Sequence, residues 1–190
     1  MRFYGSQTMP IEIVVSLLAA LGVGGILGIL LNRRFEQQKR SNEHDNKIFN
    51  QSNEILTEQK LSDIAGFQLL SNHSIRDDDY FILTKWCRFF QQTGNQYLDK
   101  NISKENQKLL DDLLQLTDFI GFNFFTIRGQ NPSNKSQYLK PDWNPDRGDD
   151  PSPGKMSKYE EYAKELEALT RKATKQYSEY RLAIKQNLKI

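Results

Sequence analysis

The chain has a single cysteine in 190 residues, so it can form no internal disulfide and holds no paired-cysteine zinc motif. Charge of one sign is lacking too. Lys and Arg number 26 against 24 Asp and Glu, a net charge of +2, which gives no expectation of nucleic-acid binding. No phosphate loop, GxSxG, HExxH or dinucleotide fingerprint occurs. Proline is scarce outside one stretch: five of the six lie between residues 128 and 154. Apolar residues are only 37% of the chain and unevenly spread. Fifteen of them fall within residues 11–31, leaving about a third apolar elsewhere, which is thin for a core.

That concentrated stretch is the strongest signal. Residues 13–31 carry no charge, and Ser16 is the one clearly polar side chain. As a helix they reach about 28 Å, close to the roughly 30 Å hydrocarbon thickness of a bilayer. A cleaved signal peptide fits poorly. Its apolar run would be shorter and its leader basic, whereas residues 1–10 carry only Arg2 and the run is followed by Arg33 and Arg34. A buried core helix would need a far larger protein around it. Residues 11–31 are therefore expected to be a transmembrane helix. Arg33, Arg34, Lys39 and Arg40 follow it, which predicts a cytoplasmic C-terminal side, an outer N-terminal tail of residues 1–10, and contact with lipid headgroups. Ser16, Ala20, Gly24 and Gly28 recur every four residues as one stripe of small side chains. They predict close packing against a second copy or another membrane helix.

The rest reads as all-α. Residues 32–47 contain one apolar residue, Phe35, and predict a polar helical stalk. Residues 48–127 predict a small helical bundle. Ile48 and Ile55, and Phe49 and Leu56, are seven apart, and residues 71–74 look like a break. Asp77, Asp78 and Asp79 stand where a helix N-terminus favours acids, and Tyr80, Leu83, Trp86, Cys87 and Phe90 follow at helical steps up to a stop at Gly94. Ser103 is the expected cap of the next helix. Leu109, Leu113, Leu116, Ile120 and Phe124 form its face, and Leu110, Leu114, Phe122 and Phe125 are expected to widen it. Residues 128–154 predict a long loop, with Tyr138, Leu139 and Trp143 pinning part of it. Residues 155–190 predict an amphipathic helix opened by a capping box, Ser157 to Glu160, and packing on the bundle. Tyr159, Tyr162, Leu166, Leu169, Ala173, Tyr177, Tyr180, Ile184 and Leu188 give it the near-heptad rhythm of a coiled-coil seam.

Chemistry-bearing groupings are few. His73 precedes three aspartates, but a polar turn capping a helix accounts for it. His44, between Glu43 and Asp45, reads as solvated helix surface. Asp142, Asn144 and Asp146 have the opening spacing of a calcium loop, and Asp149 and Asp150 could add oxygens. Arg147 and Pro153 then occupy the positions that need Gly and Glu. Cys87 beside Trp86 reads as a small core side chain. The last helix has nine Lys and Arg against five Glu, interspersed as on a solvated face. No catalytic residue, metal or cofactor is expected. The pattern predicts a single-pass membrane protein acting as a scaffold or adaptor at the cytoplasmic face. Its expected partners are the bilayer, a second copy or a partner membrane helix, and a cytosolic protein. The alternative is a membrane-perturbing effector that oligomerises through the Gly-rich span; the lack of an intramembrane charge weighs against a water-filled pore.

Overall fold

The computed structural model describes residues 11–127, 135–144 and 152–189, with side chains described from residue 29 onward. The chain is mostly helical with a small three-stranded sheet. It divides into two compact units, Met1–Glu43 and His44–Ile190.

Helix α1, Ile11–Ile55, contains the apolar run, and the side chains of Ser16, Ala20, Gly24 and Gly28 lie outside the described set. Among the described residues no helix is long and apolar enough to cross a membrane. In the first unit Arg33, Arg34, Lys39 and Arg40 are exposed, and Lys39 pairs with Glu43 one turn on at 4.0 Å.

The second unit begins before the expected bundle. His44 and Asp45 lie in the stretch that reads as stalk, yet Asp45 is fully buried. Its carboxylate accepts the backbone N–H groups of Leu98 at 2.8 Å and Asp99 at 2.9 Å. His44 Nε2 lies 3.0 Å from the Gln96 carbonyl oxygen. After α1 comes α2, Glu58–Asp63, capped by the Thr57 hydroxyl, which accepts from the Lys60 N–H. A π-helical turn, Ile64–Ser71, follows. Strand β1, Ser74–Arg76, leads into α3, Asp77–Gln91, so the acidic start is where the sequence puts it.

Helix α4, Lys100–Asn123, is capped by Asp99, not Ser103. Asp99 accepts from Asn101 and Ile102, so the helix starts a turn early. Helix α5, Pro153–Leu188, also starts ahead of the Ser157 box, with Ser152 at its N-cap and proline in its first turn, where the lost N–H costs nothing. The core lies largely between these two helices. Leu109, Leu113, Leu116 and Ile120 of α4 and Leu166, Ala173, Tyr177, Tyr180 and Ile184 of α5 are all buried. The near-heptad face of α5 thus packs within its own domain.

The all-α expectation needs one correction. Strands β1, β2 (Phe124–Thr126) and β3 (Ser136–Leu139) form an antiparallel sheet with β3 in the centre. Ser74 faces Tyr138 and Arg76 faces Ser136; Phe124 faces Leu139 and Phe125 faces Tyr138. Strands of three or four residues are too short to show a period of two. Their stability comes from pairing and from burial of Ile75, Phe124 and Leu139. Part of the expected loop is thus pinned, through Leu139 and through Trp143, which packs against the core. Residues 128–134 and 145–151 lie outside the described set.

Candidate functional site

Phe122 and Phe125 do not widen the buried face of α4. Phe122 is 77% exposed and Phe125 47%. At about 100° per residue, Phe122 stands roughly 200° around the helix from Ile120, on the opposite side. Phe125 follows buried Phe124 on a strand, where successive side chains face opposite ways. Ile127 is exposed beside them in sequence.

Lys140 completes this aromatic end. It leaves β3 with a left-handed backbone, φ 35°. Its N–H donates to the Asn123 carbonyl at 3.0 Å, and its carbonyl accepts from the Trp143 N–H at 2.8 Å. The turn sets the ammonium 5.0 Å from the centroids of Phe125 and Tyr162 and 5.5 Å from that of Trp143. Each such contact contributes about 0.5–1 kcal/mol at an exposed site. Together they offset the left-handed conformation, which costs of order 1–3 kcal/mol in a side chain of this kind. Trp143 and Tyr162 are 6.0 Å apart and tilted, and Tyr162 leans on core Phe119. Two shallow grooves flank the rings. One, of about 230 Å³, is lined by Phe125, Lys140, Pro141, Asp142 and Trp143. The other, of about 330 Å³, is lined by Trp143, Lys158, Glu161, Tyr162 and Glu165. Neither Glu161 nor Glu165 forms an ion pair among the described residues.

The other candidates are placed as follows. His73 has φ 44°, and its Nδ1 lies 2.7 Å from the Tyr159 hydroxyl. The three aspartates behind it diverge. Asp77 accepts from Gln137 at 3.0 Å, Asp78 is exposed, and Asp79 turns inward. Among the described residues no three His, Cys, Asp or Glu side chains converge as a metal site. Asp142 sits in a short 3-10 turn, Pro141–Trp143, and Asn144 is buried; Asp146, Asp149 and Asp150 lie outside the described residues. Cys87 is buried, and burial first, then the Asp118 charge, pushes its thiol up to about 12. It is therefore an unreactive thiol at neutral pH.

Asp79 is the group that sequence reading missed. It is 1% exposed and joins four elements. Gln68 of the π-helical turn donates to it at 2.6 Å, Arg76 at the end of β1 donates through Nε at 2.9 Å with Nη2 2.8 Å away, and Lys60 of α2 pairs with it. Burial pushes the carboxyl up, but hydrogen bonds from Lys60, Gln68 and Arg76, with the Lys60 charge, outweigh it and hold it below its ordinary 3.8. A second polar cluster lies in the core. The hydroxyls of Tyr97 and Tyr180 are 2.6 Å apart, and Tyr177 donates to the Leu56 carbonyl at 3.1 Å. Burial raises all three phenols, so they stay neutral and serve as packing with satisfied polar tips.

An exposed Phe125 beside a lysine that faces three rings can bind; nothing in the arrangement positions a nucleophile beside a base. No known protein family, curated protein or solved structure matches the chain, so geometry and sequence carry its functional reading.

Proposed function

We propose that the chain is a single-pass membrane-anchored adaptor whose cytoplasmic helical domain docks a protein partner through its aromatic end. The observation that carries the docking is the exposure of Phe125 beside Lys140 and the Trp143–Tyr162 pair, with Phe122 exposed three residues earlier in the chain. Monomeric proteins seldom leave several large aromatics uncovered together, and such groups are the usual anchors of an interface. Asp142, Glu161 and Glu165 border the grooves with Lys140 and Lys158, one more acid than base, and Glu161 and Glu165 form no ion pair among the described residues. The matching partner is a protein segment that brings apolar side chains together with a lysine or arginine. The anchor is supported by the 19 uncharged residues at 13–31 and by Arg33, Arg34, Lys39 and Arg40 after them, which favour an outer N-terminus and an inner C-terminus. The Ser16, Ala20, Gly24 and Gly28 stripe supports a packed partner helix in the bilayer, from a second copy or another protein. The role is one of binding, not catalysis.

Site-specific photo-crosslinking of the full chain in cells tests the docking. A photoreactive phenylalanine analogue at Phe122 or Phe125 should give one discrete adduct of higher mass. The same analogue at exposed Lys175 should not. Equal crosslinking at all three positions, or none, would refute docking at this end.

A further inference from the structure

A second cleft lies two strands from Phe125 on the same face of the sheet, and none of its lining residues lines the grooves of the aromatic end. It has a volume of about 400 Å³ and is lined by Asp63, Phe67, Gln68, Ser74, Arg76 and Ser136. One wall is a face of the β1–β3 ribbon. Arg76 stands directly opposite Ser136, so the two share a face, and Ser74, two residues back, lies on it as well. Ile75 points the other way, into the core.

The facing wall is the π-helical turn. Such turns are rare and recur at functional sites, because the extra residue re-aims side chains. Here Ser71 donates to the Gly66 carbonyl at 2.8 Å and Asn72 to the Phe67 carbonyl at 2.7 Å, which holds the widened turn. It presents Phe67, 71% exposed, at the rim. Gln68 closes the strand edge, since its Oε1 accepts the Arg76 N–H at 2.9 Å. That edge donor is therefore not available to a further strand, and the cleft suits a compact ligand.

Arg76 is preorganised. Nε donates to one oxygen of buried Asp79 and Nη2 lies 2.8 Å from the same oxygen, which fixes the guanidinium plane. Of its five N–H groups, the one on Nε is hydrogen-bonded and Nη2 is turned to the same carboxylate. Nη1 has no partner among the described residues, and the side chain is 53% exposed. Of the lining residues only Arg76 and Asp63 are charged. The two cancel, so no net positive charge offsets the larger desolvation cost of a doubly charged phosphate. A planar carboxylate also suits the guanidinium fork.

We propose that this cleft binds a carboxylate carried on a small aromatic or apolar body, with the acid on Arg76 and the Ser74 hydroxyl and the body on Phe67. Two sources share that chemistry: a free organic acid and the C-terminal residue of a peptide.

Calorimetric titration of the full chain in uncharged detergent micelles tests it. The probes are phenylacetate for the free acid, N-acetylphenylalanine for a peptide terminus, and phenylacetamide and phenyl phosphate as charge controls. At least one carboxylate should bind saturably, at least tenfold tighter than the amide and the phosphate. Tighter binding of N-acetylphenylalanine assigns the peptide source, and tighter binding of phenylacetate the free acid. Arg76→Gln should weaken the better probe at least tenfold. That variant also disturbs Asp79, so Phe67→Ala, at an exposed position, is the independent check and should weaken the same probe at least threefold. The proposal is overturned if neither carboxylate binds saturably, if the amide binds as well, or if Phe67→Ala leaves the affinity unchanged.

Discussion

Replacing Asp79 with asparagine keeps the side chain's shape and removes its charge. In the wild-type protein the carboxylate receives hydrogen bonds from Lys60, Gln68 and Arg76, two of them charged donors. Hydrogen bonds to charged groups contribute about 1.5–3 kcal/mol each, and removing one partner of a buried pair costs about 3–5 kcal/mol. Those figures are upper bounds here. The side chains of Lys60 and Arg76 are 29% and 53% exposed and regain water when released. Gln68 is buried and cannot, and the asparagine oxygen still accepts one bond. The expected loss is about 2–4 kcal/mol, or about 5–12 °C in melting temperature at this chain length. Asp78→Asn, one residue away and exposed, should stay within about 0.5 kcal/mol. The assay is denaturation of the full chain in detergent, followed by circular dichroism. The pH dependence has a definite sign. The folded carboxyl lies below its ordinary 3.8, so its contribution is fully present above that value and is lost as pH falls through the folded value. Wild type should therefore lose stability below about pH 4 more steeply than Asp79→Asn. Equal midpoints for Asp78→Asn and Asp79→Asn, or parallel acid limbs in wild type and Asp79→Asn, would refute the reasoning.

Leu166→Ala removes a fully buried side chain between α5 and the core and should cost about 2–4 kcal/mol in the same assay. In a membrane two-hybrid assay on residues 1–47, Gly24→Leu and Gly28→Leu should lose signal while Ile26→Leu and Ile29→Leu keep it; equal signal from all four would exclude small-residue packing between copies. A reporter active only in the cytoplasm should be active when fused after Ile190, and neutralising Arg33, Arg34, Lys39 and Arg40 together should mix the orientation.

The long helices were legible because they repeat. In α5 the expected face is the buried one from Tyr159 to Leu188, with Tyr162 and Leu169 half-buried at its edge. In α4 the positions Leu109, Leu113, Leu116 and Ile120 are all core. Phe122 and Phe125 were misplaced because hydrophobicity was read without phase, and an angle count from Ile120 would have set Phe122 on the far side. The sheet left no periodic trace, since each strand is too short and the partner of β1 lies far along the chain. Asp79 was hidden among three consecutive aspartates, and only tertiary packing decides which one turns inward. The caged lysine depends on a left-handed turn at a residue that seldom adopts one, so local preference pointed elsewhere.

Asp45 has a consequence for how the chain tolerates being cut. Together with Ile48, Phe49 and Leu56 it places the last turns of α1 inside the domain's own interior. Scission within residues 32–43 would leave every one of these buried side chains attached, and the released fragment would keep its core. Scission only a few residues later, beyond Asp45, would free the N–H groups of Leu98 and Asp99 that it holds and loosen the entry to α4. The boundary between a harmless nick and a destructive one thus falls within a single helix, where the outward sequence changes little.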